Sequence, residues 1–193
     1  MTEIPVAVVG AGPWGRTISA AISVTPGICL TAIVSSQNEL RGVIDQEIPV
    51  LSDWREAAKK REVSGFILAI PPMHQTRVAA EMIESRIPVM LEKPMATSVT
   101  DAARIQLAAA SHEFCGLVNH LHIYTPAFKN LLRGLFEKRG PITINTTAGA
   151  RGPYRANWSP LWDWASHDLA MVLSVIKSDP AQIFATQGRE IAG

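Results

Sequence analysis

The sequence predicts an α/β fold: a doubly wound parallel sheet followed by a truncated α+β domain. Three observations carry that expectation. Short apolar runs recur between segments of helical period, a glycine-rich turn joins the first run to the first helix, and after about His120 the alternation gives way to another pattern. Strands that alternate with helices favour right-handed crossovers and a sheet covered on both faces.

The first run, residues 6–9, is short and wholly apolar, which suits a strand buried on both faces. Residues 14–24 follow with Ile18, Ala21 and Ile22 on one side of a helical period. Between them lies Gly10-Ala11-Gly12-Pro13-Trp14-Gly15, a G-x-G-x-x-G turn. In such a turn Gly10 permits the tight bend, Gly12 lets backbone N–H groups approach phosphates, and Gly15 lets the helix pack closely on the strand. The helix N-terminus adds partial positive charge and unpaired N–H donors. This is the Rossmann fingerprint for a dinucleotide, and Pro13 and Trp14 border the same turn.

Further strands are expected at 29–34, 65–70, 89–91 and 114–118, with helices at 52–61, 74–86 and 98–112. Ser52 or Asp53, and Ser98 or Thr100, are available as N-caps. Ligands of such sheets bind beyond the carboxyl ends of the strands, where Gly10, Ser35, Pro71 and Glu92 fall. The changed pattern after His120 reads as an amphipathic helix at 124–138, a strand with alternating threonines at 142–148, a helix at 160–177 and a last strand at 183–187. The expected division is therefore residues 1–119 and 120–193. A long loop between, rich in turn formers, carries Arg151 and Arg155 and suits the lining of a substrate site.

Composition narrows the class of function. With 193 residues, 47% of them apolar, and a net charge of +1, the chain can bury a core and offers no electrostatic case for nucleic acid. Two cysteines, Cys29 and Cys115, are too few for a disulfide framework, which favours a cytoplasmic setting. No signal-peptide pattern and no run near the ~20 apolar residues that span a membrane is expected to operate. His120 and His122 alternate on a strand-like segment, but no Cys or Glu-x-x-His arrangement nearby supports a metal site.

At Glu92-Lys93-Pro94 the chain resembles the Gfo/Idh/MocA family of glucose-fructose oxidoreductase and inositol dehydrogenase relatives. The similarity also takes in the opening glycine turn, Ala69-Ile70-Pro71-Pro72-Met73-His74, Val89-Met90-Leu91 before the triplet, and Leu161-Trp162-Asp163-Trp164-Ala165-Ser166-His167-Asp168. The resemblance implies hydride exchange between a nicotinamide cofactor and a hydroxyl or keto carbon of a sugar, polyol or sugar derivative. It puts Lys93, Asp163 and His167 around the reacting carbon. Ile70, Pro71, Pro72, His74, Glu92 and Lys93 would border the cofactor with the glycine turn and with Ser35 and Ser36. His74 is expected to cap the following helix or border the cofactor rather than take part in the chemistry.

Chemistry supports the catalytic set. Asp163 and His167 are four apart, so on a helix they share a face. A histidine with an ordinary pKa near ~6.5 suits the hydroxyl proton. Asp163 would orient the imidazole or the hydroxyl, and the Lys93 ammonium would stabilise negative charge developing on the substrate oxygen.

NAD-preferring Rossmann proteins place a carboxylate about 20 residues beyond the glycines. Here that stretch reads Ser35-Ser36-Gln37-Asn38, with Arg41 further on. Without an acid to bind the 2′-hydroxyl, the cofactor expectation leans to NADP, with NAD as the alternative. The resemblance further implies a second domain built on an open sheet that forms a dimer face, so a C-terminally short chain is expected to form homo-oligomers through it. The contrasting possibility is a non-catalytic nucleotide-binding or regulatory module.

Overall fold

The computed structural model describes residues 2–36, 48–59, 63–112, 116–137, 140–149 and 161–186. Within them β1 (Ile4–Val9), β2 (Ile28–Val34), β3 (Val50–Leu51), β4 (Gly65–Leu68), β5 (Val89–Glu92) and β6 (Gly116–Asn119) form one sheet. Its order is β3-β2-β1-β4-β5-β6, every pairing parallel. Order reverses between β1 and β4, the switch point where Rossmann sheets open a crevice for their ligand.

The centre of the sheet is buried because β1 is apolar on both faces. Ala7 and Val9 join Phe66, Leu68, Leu91, Met82 and Ile83 on one side, against α3 (Pro72–Glu84) and α4 (Val99–Ser111). Val6 and Val8 face the other way, packing with Ile67 against Ile18 and Ile22 of α1 (Pro13–Ser23). The period of two along β1 thus feeds both layers. Each fully buried branched or aromatic side chain contributes about 1.5–3 kcal/mol. Trp54, opening the short α2 (Trp54–Lys59), adds an edge-to-face contact with Phe66 at 6.1 Å between ring centroids.

Helix starts follow local chemistry. Ser98 caps α4: its hydroxyl accepts the Asp101 N–H at 3.1 Å and donates to the Asp101 carboxylate at 2.8 Å. The Asp53 carboxylate accepts the Arg55 N–H at 2.9 Å at the start of α2. Pro71, not His74, precedes α3 as its N-cap, with Pro72 at the first helical position.

Beyond β6 a 3-10 turn (Leu121–Tyr124) leads into α5 (Pro126–Phe136), which Thr125 caps through the Phe128 N–H. A π-helical turn (Leu161–Ala165) then runs into α6 (Ser166–Ile176). Neither expected strand of this half is formed: residues 142–148 and the described residues 183–186 carry no strand and are exposed. Alternating threonines suit a half-buried strand, but a strand also needs a hydrogen-bonded neighbour, and none lies beside these segments among the described residues. Among the described residues no helix is long and apolar enough to cross a membrane.

Candidate functional site

The glycine turn is shaped by what a Cβ would meet. Gly10 has φ +106°, and a Cβ there would lie 2.4 Å from the Ala69 carbonyl oxygen; one on Gly15 would lie 2.0 Å from the Gly10 oxygen. Both contacts are impossible for a larger residue, so β1, α1 and the end of β4 come together only through glycine. A Cβ on Gly12 meets nothing within 4 Å. The fold therefore leaves open space over Gly12 at the N-terminus of α1.

Two clefts meet at Gly12. One, of about 540 Å³, runs over the ends of β1 to β3 and is lined by Gly10, Gly12, Ser35, Ser36, Ser52, Asp53, Arg55, Ile70, Pro71 and Arg77. The other, of about 550 Å³, lies over β4 and β5 and is lined by Gly12, Pro13, Trp14, Ile70, Pro71, Pro72, Glu92, Lys93, Leu121 and Asp163. This pair of clefts on either side of a glycine-opened helix N-terminus fits an extended dinucleotide, with its pyrophosphate at α1. His74 stands apart, exposed on the first turn of α3 and lining neither cleft. Arg41, Gln37, Asn38, Cys115, Arg151, Arg155 and Trp158 lie outside the described residues; Cys29 is a free thiol.

Lys93 and Asp163, 70 residues apart, meet in the second cleft. The Lys93 ammonium donates to Asp163 Oδ1 and to the Asp163 carbonyl oxygen, each at 2.8 Å. The pair is only about one-fifth exposed, so its attraction is less screened than that of a surface ion pair. Lys93 is held by the turn it begins. The Lys93–Pro94 peptide is cis, and the wholly buried Gln75 of α3 clamps the flanking backbone. Its amide donates to the carbonyls of Glu92 at 2.7 Å and Pro94 at 3.1 Å, while its oxygen accepts the Glu92 N–H at 3.0 Å. Buried Glu92 in turn accepts from the Asn119 amide at 2.7 Å.

His167, 6% exposed, is in the first turn of α6, and its Nδ1 is buried without a hydrogen-bond partner among the described residues. The His122 ring packs edge-to-face on it at 4.4 Å between centroids, and His120 lies at 6.4 Å in the same relation. Burial, then the Lys93 ammonium and the two neighbouring imidazoles, push its pKa down to about 4; Asp163 acts weakly the other way. Burial also lowers His120, against a raising effect of Glu92. The ordinary value expected from sequence is thus replaced by an imidazole that stays neutral across the physiological range. Among the described residues no group of three or more His, Cys, Asp or Glu is arranged to hold a metal ion.

Sequence reasoning missed Gln75, Asn119 and the two histidines as neighbours of the site. Gln75 has no periodic signature of its own. His122 lies in the 3-10 turn and His120 just before it, and both rings pack against His167 of α6.

The sheet order, the glycine turn and the paired clefts define a dinucleotide-binding Rossmann protein. Residues 4–120 match the oxidoreductase family with an NAD-binding Rossmann fold, GFO_IDH_MocA, and the chain belongs to that family. No curated protein sequence matches it significantly. Among solved structures, a candidate oxidoreductase from Magnetospirillum magnetotacticum MS-1 is 29% identical, covering 98% of this chain and 63% of its own, with a TM-score of 0.81. GenD2 of gentamicin A biosynthesis, solved with NAD, is 20% identical over 91% of this chain and 54% of its own, with a TM-score of 0.76. Apo scyllo-inositol dehydrogenase from Lactobacillus casei is 14% identical over 70% and 42%, with a TM-score of 0.64. The last two show the fold alone. The chain spans between 42% and 63% of the length of these structures.

Proposed function

We propose that this chain carries the active site of an NAD(P)-dependent oxidoreductase acting on a hydroxyl or keto carbon of a sugar, polyol or sugar derivative, with NADP preferred. One observation carries the proposal: the Lys93–Asp163 ion pair lies in the cleft that Gly12 opens, and the buried His167 is near enough to both residues to feel their charges. A bound nicotinamide would supply the hydride acceptor or donor. The residues of the chain do the rest. As the substrate carbon gives up hydride, its hydroxyl proton passes to the neutral His167 imidazole, whose buried Nδ1 has no hydrogen-bond partner among the described residues. The Lys93 ammonium, preorganised by Asp163, donates a hydrogen bond to the substrate oxygen as negative charge grows there. In the reducing direction the same groups act in reverse.

Apolar side chains exposed beyond β6, among them Leu131, Phe136, Leu161, Leu169, Leu173 and Phe184, support homo-oligomer formation through this half. The free Cys29 thiol supports a cytoplasmic setting.

The test is a polyol and sugar screen with either nicotinamide, followed by Lys93→Ala and His167→Gln. Each substitution should lower kcat by about 10²-fold or more with less than about threefold change in cofactor Kd. Normal turnover by either variant removes that residue from the mechanism. Cofactor binding without turnover of any substrate would support a nucleotide-binding module instead.

A further inference from the structure

The cleft over β1 to β3 holds a charge cluster that the hydride-transfer chemistry does not use. The Ser35 N–H donates to the Leu51 carbonyl at 2.9 Å, which sets the end of β2 beside the end of β3. Where a carboxylate would follow β2, this cleft presents Ser35 and Ser36; from α2 it presents Arg55, and from α3 Arg77. Glu81, which does not line the cleft, bridges the two guanidiniums: Arg55 reaches one of its oxygens at 2.5 Å and Arg77 the other at 3.1 Å. Arg55 also pairs with Asp53 at 3.2 Å.

We propose that Arg55 and Arg77, held side by side by Glu81, form a two-guanidinium clamp for the 2′-phosphate of NADP. The inference rests on the cofactor reading above and names the residues that would discriminate between its two forms. In a Rossmann crevice the ribose of the adenosine half sits at the end of β2, and Arg55 and Arg77 line the same cleft as Ser35 and Ser36 at that end. Guanidinium is a planar fork matched to phosphate oxygens, and charge-assisted pairs of this kind are strong. The existing partners do not forbid the exchange. Arg55 and Arg77 are 49% and 65% exposed, and ion pairs between such side chains are held only weakly. Arg77 uses one terminal nitrogen on Glu81 and keeps further donors to offer. Asp53 lines the same cleft, but its carboxylate accepts from the Arg55 N–H and from the Arg55 guanidinium.

The experiment is fluorescence titration of the purified chain with NADPH and with NADH, and competition by adenosine 2′,5′-bisphosphate, for the wild type, Arg55→Ala, Arg77→Ala and the double variant. The clamp requires the wild type to bind NADPH more tightly. It also requires the double variant to lose about 30-fold or more in NADPH affinity while NADH affinity changes less than about threefold. Retained NADH binding also reports that the variants are folded. If Arg55→Ala loses both nucleotides through misfolding, Arg77→Ala decides alone, since among the described residues the Arg77 guanidinium pairs with Glu81 on the exposed face of its own helix. An unchanged NADPH to NADH ratio, or a wild type that prefers NADH, overturns the clamp and leaves the dehydrogenase intact. A folded wild type that binds neither nucleotide overturns both.

Discussion

At the scale of single residues the site is governed by which charge each group can carry. Lys93 lies close enough to His167 to oppose its protonation, so the two cannot both be cationic at ordinary pH without cost. Lys93→Met removes one of the lowering influences and leaves burial, the largest, in place. The His167 pKa should therefore rise above about 4 and stay below its ordinary 6.5. Imidazole proton shifts followed by NMR against pH would show it, and a pKa that stays put or falls would mean that the ammonium does not act on this ring. Lys93, Asp163 and His167 were singled out by the family resemblance of the motifs around them, and spacing put only Asp163 and His167 on one face. Their joint geometry was not legible, because the ion pair closes over 70 residues. Nor was the lowered pKa legible, since it arises from burial and from His120 and His122, which the sequence places on an apparent strand.

At the scale of elements, the three glycines of the β1–α1 turn do different work. Gly15→Ala drives a methyl into the Gly10 carbonyl, so the helix must move off the sheet; about 2 kcal/mol or more of stability should go, read as a lower urea midpoint. Gly12→Ala meets nothing and should change stability by less than about 1 kcal/mol. Its methyl stands instead where a pyrophosphate would approach, so nucleotide affinity should fall about tenfold or more. A Gly12→Ala protein that binds nucleotide normally would show that the phosphates do not pass over this turn. The strands and helices of the sheet were legible because apolar runs bounded by turns need only local contrast to be seen. The two-residue β3 was too short to give a pattern; its place is fixed by pairing with Ile33 and Val34. Residues 142–148 failed for the opposite reason: the alternation was present, but no strand among the described residues lies beside them to complete a ladder.

For the whole molecule, the burial of a neutral imidazole ties stability to pH. His167 titrates at about 4 when folded and near its ordinary 6.5 when unfolded. Above 6.5 neither state is protonated there, and the native state keeps its full stability. Between 6.5 and about 4 the unfolded chain takes up a proton that the folded chain refuses, so stability falls as pH falls. Below about 4 both states carry the proton and the loss is complete. The full contribution is on the order of 2–3 kcal/mol. His120, lowered for the same main reason, acts in the same direction. Urea unfolding of the wild type and of His167→Gln at a series of pH values from 7.5 to 4.5 isolates the effect, because carboxylates and His120 titrate in both proteins. The wild type should lose more stability than the variant across this range. Parallel curves would mean that the His167 pKa is the same folded as unfolded, and the lowering by burial and by Lys93 would fall.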